Sequence, residues 1–412
     1  MFSTMQKTFV VIYRQRAREM KVYLVAGEPS GDKLGAELMA GLNSCAPYEL
    51  EFYGVGGPLM EEQGLTSLFP ISDIAVMGIG EILAKYSFLK ERIKNTVDDI
   101  HKLKPDVLIT IDAPEFSLRV ARMVRQKLFV NTIHYVAPTV WAWRPKRAKR
   151  MSGYVDHILA LFPFEPPYMK RAGISCDFVG HPVAEENLPD RRLVSKFRQE
   201  HEISENDKLI AFLPGSRRSE VDRLMPVFKT VSSSLISQRL DIRIVIVAAP
   251  AVKKILMESL REWDASIIVV TNDDLSNNEF QKLKRIVFAS CDLALAASGT
   301  VSLELAATET PMVIAYDMGF LSRIVFRFLI RVNSVNLVNL ISNQRTIPEF
   351  IGNNCKPDKI VHALLNELDN PTVQKSVMRK SLELLKVNGA SSGIVAANSV
   401  INFLETRKNL EF

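Results

Sequence analysis

Short apolar runs alternate with segments of helical periodicity along most of the chain. The runs are rich in Val, Ile and Leu without regular polar alternation, which is typical of parallel strands buried on both faces. We predict strands at Val22–Ala26, Val107–Ile111, Val130–Val136, His157–Leu161, Leu209–Leu213, Ile242–Ala248, Ile267–Val270, Leu293–Ala296 and Met312–Ala315. Helices are predicted between them, for example at Phe88–Leu103, Phe116–Lys127 and Val221–Gln238. This repeated order predicts an α/β protein with two Rossmann-like, doubly wound domains facing a cleft.

A polar stretch without strand character, Pro182–Asp207, follows a further predicted strand that ends at Val179–Gly180, and it marks the expected domain boundary. We predict a first domain at 20–185, a second at 186–355, and C-terminal helices at 356–412 that pack back on the first. Residues 1–19 are interpreted as a disordered tail or as an extension that precedes the native start at Met20. A targeting peptide is the weaker interpretation, because the apolar run at 9–13 is too short for a signal-peptide core.

Composition narrows the classes of function. The chain has 412 residues, of which 47% are hydrophobic and 24% charged, as in a globular protein of two domains. The net charge of +6 suits a phosphate-bearing ligand or an acidic lipid, and is too small to favour nucleic acid as a partner. The four cysteines and six histidines are scattered, so no metal site, cofactor or disulfide framework is predicted and a cytoplasmic location is expected. No apolar run is long enough to span a bilayer.

The first predicted strand leads into a glycine-containing turn, Gly27–Asp32, and a helix is expected to begin near Lys33. Backbone N–H groups at such a turn can bind an anion. Ser30 and Asp32 are also good N-cap residues, so a purely structural role is an equally strong interpretation. The candidate ligand-binding residues of this loop are Gly27, Glu28, Ser30, Gly31 and Asp32.

Asp112 directly follows the predicted strand Val107–Ile111. In open α/β sheets, ligands bind at the carboxyl ends of the strands. A partly desolvated carboxylate there has a raised pKa and can remove a proton from an attacking hydroxyl. Pro114 suggests a helix start, so an N-cap role for Asp112 is the structural alternative.

Two turns in the second half predict a nucleotide site. At Gly215–Arg218 the backbone can approach a ligand, and Arg217 or Arg218 can hold a departing diphosphate. The alternative is a capped helix with two solvated arginines. At Ser298–Thr300 a second turn offers N–H groups, Thr300 and Ser302 supply hydroxyls for phosphate, and Glu304 can accept hydrogen bonds from ribose. A surface glutamate that favours the helix dipole is the alternative there. The residues expected to contact the nucleotide are Gly215, Ser216, Arg217, Ser298, Gly299, Thr300 and Glu304.

Two segments favour contact with an anionic membrane surface. In 320–332, apolar residues share one helical face and arginines form a stripe on another, as in helices that lie in the bilayer interface. The stretch 141–150 mixes tryptophans with five basic residues. A buried helix is the main alternative for the first segment, and an RNA-binding patch is a minor one for the second. The candidate membrane-contacting residues are Trp141, Trp143, Arg144, Arg323, Arg327 and Arg331.

The motifs together resemble the lipid-A-disaccharide synthase family, in order and from about Met20 to the C-terminus. The segments that carry the resemblance are Gly27–Asp32, Gly54–Met60, Ile111–Phe116, Tyr135–Arg147, Phe162–Glu165, Val179–Val183, Leu213–Val221, Ala297–Glu304 and Asn336–Asn339. The resemblance implies the two-domain GT-B fold and a metal-independent, inverting glycosyl transfer. The implied donor is UDP-2,3-diacylglucosamine, the acceptor is 2,3-diacylglucosamine 1-phosphate (lipid X), and the products are the β-1,6-linked lipid A disaccharide and UDP.

The resemblance also implies residue roles. Asp112 matches the general base and Arg217 the diphosphate-binding arginine, while Gly299, Thr300 and Glu304 match the nucleotide loop. Asn339 and Glu349 match further donor-site residues. Val338 stands where a proline is more usual, which makes the local loop shape uncertain.

The implied location is the cytoplasm, with peripheral association with the inner membrane, and a homodimer is left open. Two other functions remain open at this stage. One is another enzyme on the same fold, such as a UDP-sugar epimerase or a transferase with a soluble acceptor. The other is a non-catalytic UDP-binding protein at the membrane surface.

Overall fold

The computed structural model describes residues 19–74, 86–139, 145–263, 267–317, 334–387 and 389–410. These residues form two compact units, each built around one parallel sheet. One unit holds the described residues of 1–140, 144–180 and 387–412, and the other holds those of 181–386. The sequence placed the boundary at 185/186, within a few residues of the observed division.

The first unit contains strands β1 (Met20–Ala26), β2 (Leu50–Val55), β3 (Thr66–Ser67), β4 (Val107–Ile111), β5 (Asn131–Tyr135), β6 (His157–Ala160) and β7 (Ser175–Phe178). Its helices are α1 (Pro29–Cys45), α2 (Pro58–Glu62), α3 (Tyr86–Leu103), α4 (Ser117–Arg125), α5 (Pro145–Met151) and α6 (Pro166–Arg171), together with the last helix of the chain, Ser392–Leu410. Within the described residues the strands form one parallel sheet in the order β3-β2-β1-β4-β5-β6-β7.

The second unit contains helices α7 (Arg191–Glu200), α8 (Arg218–Gln238), α9 (Lys253–Leu260), α10 (Asn277–Ser290), α11 (Val301–Ala307), α12 (Leu337–Ser342), α13 (Pro357–Asp369) and α14 (Thr372–Leu385). Its strands are β8 (Lys208–Leu213), β9 (Ile242–Val247), β10 (Ile267–Val270), β11 (Leu293–Ala296), β12 (Met312–Tyr316) and β13 (Glu349–Ile351). As far as the chain is described, they form a second parallel sheet in the order β10-β9-β8-β11-β12-β13.

Both sheets reverse their strand order at one place, between β1 and β4 in the first unit and between β8 and β11 in the second. Helices leave the sheet in opposite directions at such a switch point, which opens a crevice at the carboxyl ends of the two strands. The loops that follow these four strands are therefore the natural positions for ligand-binding residues.

The apolar runs of the sequence form the sheet cores, as predicted. Every residue of Val107–Ile111 and of Leu293–Ala296 is buried, because helices cover both faces of a doubly wound sheet. The predicted set omits β2, β3 and β13. Strand β2 carries a glycine and half-buried polar positions, β3 has only two residues, and β13 is a short, half-buried edge strand. None of them has the buried apolar run that distinguishes the central strands.

The C-terminal segment divides between the units. Helices α13 and α14 belong to the second unit, whereas the sequence placed the return to the first domain at residue 356. The last helix, Ser392–Leu410 (α15), belongs to the first unit. There the Ser399 hydroxyl donates to Asp177 at 2.8 Å and meets Nε2 of His157 at 2.9 Å, which fixes the helix against β6 and β7.

Candidate functional site

Asp112 occupies the switch point of the first sheet, immediately after β4. Its backbone has a φ of 48°, and that of Ala113 is 41°, so the chain turns through the left-handed region at this position. The Asp112 N–H donates to the Tyr135 carbonyl at 2.9 Å and holds the turn against β5. Left-handed backbone at a non-glycine residue costs about 1 kcal/mol or more and is concentrated at functional sites. The turn presents a half-buried carboxylate at the carboxyl end of the sheet.

Burial raises the pKa of the Asp112 carboxyl above its usual range, and a hydrogen bond from the Ala113 backbone opposes that rise. A carboxylate with a raised pKa is a stronger base than an exposed one and accepts a hydroxyl proton more readily. The structural alternative, an N-cap role, is wrong. Helix α4 begins at Ser117 with Phe116 at its N-cap, so Asp112 lies outside that helix.

The Gly27 turn lies directly against the Asp112 turn. Strands β1 and β4 are neighbours, with Ala26 paired to Ile111. A Cβ at Gly27 would lie 2.3 Å from Cβ of Ala113, so only glycine fits at this position. The structure thus brings together two loops that the sequence singled out separately.

Helix α1 begins at Pro29, four residues before the predicted start near Lys33, because proline is favoured at the first helical position. Ser30 and Asp32 therefore lie inside the first turn, and their predicted N-cap role is wrong. Glu28 is the N-cap residue, and the side chains of Glu28 and Ser30 are exposed. Gly31 is buried in the first turn.

The Asp32 carboxylate has a different use from the one the sequence suggested. It is buried and accepts hydrogen bonds from the N–H groups of Gly57, Leu59 and Met60 at 2.9, 3.1 and 3.1 Å. These N–H groups belong to the N-terminal turn of α2. Asp32 therefore joins the Gly27–Asp32 loop to the glycine-containing loop at Gly54–Pro58 and caps α2 from a distance.

His134 on β5 is a neighbour of this site that the sequence analysis did not single out. It is fully buried, and its Nδ1 lies 2.8 Å from the Thr110 hydroxyl on β4. Burial, and then the charge of Arg147, lower its pKa to about 3, so the imidazole is neutral at physiological pH. The available signal was a histidine inside the predicted strand Val130–Val136, between Ile133 and Tyr135.

Arg217 and Gly215 lie in the loop after β8, at the switch point of the second sheet. Gly215 has a φ of +110°, and a Cβ there would lie 2.5 Å from an oxygen of Glu220. The Glu220 carboxylate accepts from the N–H groups of Ser216 and Arg217 at 3.1 and 3.3 Å and from Nη1 of Arg217 at 3.2 Å. Glu220 was not assigned a role from the sequence, although Arg217 and Glu220 have the spacing of a capping box.

This arrangement refines the predicted phosphate loop. The N–H groups of Ser216 and Arg217 are already bonded to Glu220, while the Arg217 side chain remains 66% exposed. A guanidinium has five N–H donors, and the contact with Glu220 involves Nη1 alone. The guanidinium, more than the loop amides, is therefore available for an anion.

Ser298, Asn339 and Glu349 are far apart in sequence but join one hydrogen-bond network. The Ser298 hydroxyl donates to the Val335 carbonyl at 3.1 Å. The Glu349 carboxylate accepts from the N–H groups of Val335 and Asn336 at 2.8 and 2.7 Å. Asn339 lies 3.4 Å from the same carboxylate and exchanges two hydrogen bonds with the Ile347 backbone. The network fixes residues 335–339 beside the Ser298 turn.

Glu304 is held by a lysine from another helix. It lies in the first turn of α11, after the exposed Gly299 and Thr300. Its carboxylate is 2.6 Å from Nζ of Lys284 on α10, with side-chain exposures of 30% and 15%. The Ser302 hydroxyl, expected to serve phosphate, is buried and donates to the Gly299 carbonyl at 2.9 Å. That expectation for Ser302 is wrong because the hydroxyl closes its own turn.

The six candidate membrane-contacting residues fall outside the described residues. This applies to Trp141, Trp143, Arg144, Arg323, Arg327 and Arg331. Among the described residues, no helix is both long enough and apolar enough to cross a bilayer. The same part of the chain has no group of His, Cys, Asp or Glu side chains suited to hold a metal ion.

Comparison with known proteins finds a matching family model and similar sequences. A model of the family described as lipid-A-disaccharide synthetase matches residues 22–397. The chain is 46% identical over 387 residues to a lipid-A-disaccharide synthase of Ruegeria pomeroyi, covering 94% of this chain and 96% of the relative. It is 39% identical over 394 residues to the synthase of Rhodospirillum centenum, covering 95% and 96%.

The similarity to solved structures is informative about the fold alone, because the sequence identity is low. The UDP-GlcNAc 2-epimerase of Neisseria meningitidis, bound to UDP-GlcNAc, aligns with a TM-score of 0.60 at 12% identity, covering 94% of this chain and 100% of that one. The predicted fold class of two Rossmann-like α/β domains is confirmed.

Proposed function

The chain belongs to the lipid-A-disaccharide synthase family, and from that membership we propose its substrates, mechanism and residue roles. It is a glycosyltransferase of lipid A biosynthesis. The donor is UDP-2,3-diacylglucosamine and the acceptor is 2,3-diacylglucosamine 1-phosphate. The products are the β-1,6-linked disaccharide 1-phosphate and UDP.

Asp112 acts as the general base in this proposal. The acceptor 6-hydroxyl gives its proton to the carboxylate as its oxygen bonds to the anomeric carbon of the donor. The bond from that carbon to the UDP oxygen breaks in the same step, so the configuration inverts. The single observation that carries this role is the half-buried Asp112 carboxylate at the switch point, with its raised pKa. Such proton removal contributes typically about 10²- to 10⁴-fold to the rate.

The second unit binds the donor. The exposed Arg217 guanidinium holds the diphosphate and stabilises the charge that builds on the leaving oxygen. The exposed turn at Gly299 and Thr300 approaches the nucleotide, and Glu304 accepts hydrogen bonds from the ribose hydroxyls. Ser298 and Glu349 act on the donor through the 335–339 segment, to which their hydrogen bonds are directed, and Asn339 anchors that segment to the Ile347 backbone.

On the acceptor side, the Gly27 turn lines the approach to Asp112. Its contact with Ala113 supports this role, as do the exposed Glu28 and Ser30 at the start of α1. Gly31 and Asp32 maintain the loop. Because both substrates carry acyl chains, we also propose that the protein works at the inner-membrane surface through Trp141, Trp143 and Arg144 and through the segment 320–332.

The direct test uses both diacylated substrates in mixed micelles. The proposal expects a disaccharide and one equivalent of UDP, with the β configuration at the new linkage. Either substrate alone should give no disaccharide. Epimerised UDP-sugar, or UDP binding without any glycosyl product, would contradict the proposal.

A further inference from the structure

Four arginines lie on α4 and α5 of the first unit, and two of them contact Glu115 on the loop that carries Asp112. Glu115 is exposed and lies three residues after Asp112. Its two carboxylate oxygens are each 3.5 Å from a guanidinium nitrogen, one from Arg119 on α4 and one from Arg147 on α5. Contacts of this length involve one nitrogen of each guanidinium and leave most of its N–H donors unused.

Arg122 and Arg150 extend this cluster. Both side chains are exposed, and within the described part of the chain neither has a carboxylate at ion-pair distance. They lie one helical turn beyond Arg119 on α4 and Arg147 on α5, and the half-buried Tyr154 packs against apolar clusters that include residues of both helices. Burial raises the pKa of its phenol, while the charges of Arg147, Arg122 and Arg150 act to lower it. The Tyr154 side chain therefore lies beside the two helices that carry these arginines.

The charges in this region do not balance. Arg119, Arg122, Arg147 and Arg150 contribute four positive charges, against two negative charges from Glu115 and the ionised Asp112 on the same loop. His134, which also lies near Arg147, is neutral at physiological pH. A surface with this excess of guanidinium groups is suited to a phosphate, because guanidinium binds phosphate oxygens in bidentate fashion.

We propose that Arg122, Arg147 and Arg150, together with the Tyr154 hydroxyl, bind the phosphate monoester of the acceptor sugar. The inference rests on the proposed function, since it assigns the anomeric phosphate of the acceptor to this cluster. Glu115 orients Arg147 and Arg119 and keeps them from repelling each other. The cluster begins on the Asp112 loop itself, so a sugar whose phosphate is held here lies close to the general base.

The test compares variants that remove the two arginines without a carboxylate partner. Arg122→Ala and Arg150→Ala should each raise the KM for the phosphorylated acceptor about tenfold, and the double variant more, because a hydrogen bond to a charged group is lost each time. The donor KM and kcat should not change. Arg122→Lys should recover only part of the loss, because lysine keeps the positive charge but cannot make the two parallel hydrogen bonds that a guanidinium makes to a phosphate. With a dephosphorylated acceptor, wild type and variants should behave alike.

Arg171→Ala is the matched control. It removes an exposed arginine of the same unit that lies over the Tyr168 ring, on α6. An unchanged acceptor KM in both Arg122→Ala and Arg150→Ala would overturn the proposal. So would variants that lose binding to phosphatidylglycerol vesicles, relative to phosphatidylcholine, while their acceptor KM in detergent stays at the wild-type value. That result would assign the cluster to lipid headgroups.

A titration with glucosamine 1-phosphate separates this inference from the proposed function, since it needs no turnover. Wild type and Arg171→Ala should bind the probe, and the Arg122→Ala/Arg150→Ala double variant should not. Equal binding by all three proteins would overturn the site even if disaccharide is formed. Selective loss in the double variant would support it even if the wild type forms none.

Discussion

Ser298 and Glu349 hold opposite ends of the same residue, Val335. The Ser298 hydroxyl donates to the Val335 carbonyl at 3.1 Å, and the Glu349 carboxylate accepts from the Val335 N–H at 2.8 Å. Ser298 belongs to the turn after β11 and Glu349 begins β13, so two strand ends of one sheet fix the loop between them. Both residues were assigned to the donor site from the sequence, without any indication that they share a partner.

Because Ser298 and Glu349 share Val335 as a partner, we predict that their effects on UDP binding are coupled. Ser298→Ala and Glu349→Ala should each weaken UDP binding, and the double variant should lose less than the sum, because either change alone already frees the 335 segment. We expect a coupling free energy of at least about 0.5 kcal/mol by titration calorimetry of the four proteins. Glu258→Gln, which alters an exposed glutamate on α9, serves as the control. Its effect on UDP binding and that of Ser298→Ala should be additive. Additivity in the Ser298/Glu349 cycle would show that the two residues act independently.

Asp112→Asn should abolish most turnover and leave UDP affinity unchanged, because asparagine keeps the shape but cannot accept the proton. A loss of about 10²-fold or more in kcat is expected. Asp98→Asn, at an exposed position on α3, is the control and should be fully active. Full activity of Asp112→Asn in the disaccharide assay would remove the base from the proposed mechanism.

The pH dependence of the wild type should reflect the raised pKa of Asp112. The base works only when ionised, so kcat/KM should rise with pH through a value above 3.8, the ordinary pKa of the side chain. The free energy of unfolding should change with pH in the opposite direction to kcat/KM. Since the folded state favours the protonated carboxyl, the free energy of unfolding decreases as pH rises from 3.8 through the raised pKa. Asp112→Asn should lack this decrease, and an identical pH dependence of stability in both proteins would contradict the shift.

Arg217 and Arg218 are adjacent but should differ in effect. Arg217→Ala should weaken UDP binding about tenfold or more, the typical effect of losing a hydrogen bond to a charged group. Arg218→Ala should bind UDP as the wild type does, because Arg217 is the residue that matches the diphosphate-binding arginine, whereas Arg218 already belongs to α8 and pairs with Asp222 one turn along that helix. Titration of UDP into both variants is the measurement. Equal losses would mean that only the net charge of the loop matters.

Glu220 should be important although it is not expected to contact the donor. Glu220→Gln should reduce the free energy of unfolding by about 1 kcal/mol, as the loss of an N-terminal cap does, and should also weaken UDP binding. The reason is that its carboxylate holds both the Ser216–Arg217 amides and the Arg217 guanidinium. Thermal unfolding with and without UDP measures both effects, with Glu258→Gln as the control. Tighter UDP binding in Glu220→Gln would instead show that the carboxylate competes with the diphosphate.

The central strands and the residues after them could be predicted because buried parallel strands leave continuous apolar runs in the sequence. Asp112, Gly215 and Ser298 each stand just after such a run, and this position alone places them at the carboxyl end of a sheet. The partners of these residues could not be predicted. Asp32 caps a helix that begins 26 residues later, and Lys284 reaches Glu304 from the preceding helix. Such pairs depend on how separate helices pack, which periodicity does not encode.

Lys284 is the partner whose effect on donor recognition should be clearest. Its ion pair fixes one oxygen of Glu304 and leaves the other to accept from the ribose hydroxyls. Lys284→Met should therefore raise the donor KM about tenfold with little change in kcat, and Lys284→Arg should recover most of the affinity. The preference for UDP over its 2′,3′-dideoxy analogue should shrink in Lys284→Met. The reason is that the Glu304 carboxylate, which accepts hydrogen bonds from the two ribose hydroxyls, is no longer held in position. Lys282→Met, at an exposed position of the same helix, should keep the full preference. If Lys284→Met retains the wild-type preference while its stability falls, the ion pair only joins α10 to α11, and Glu304 does not depend on it to recognise ribose.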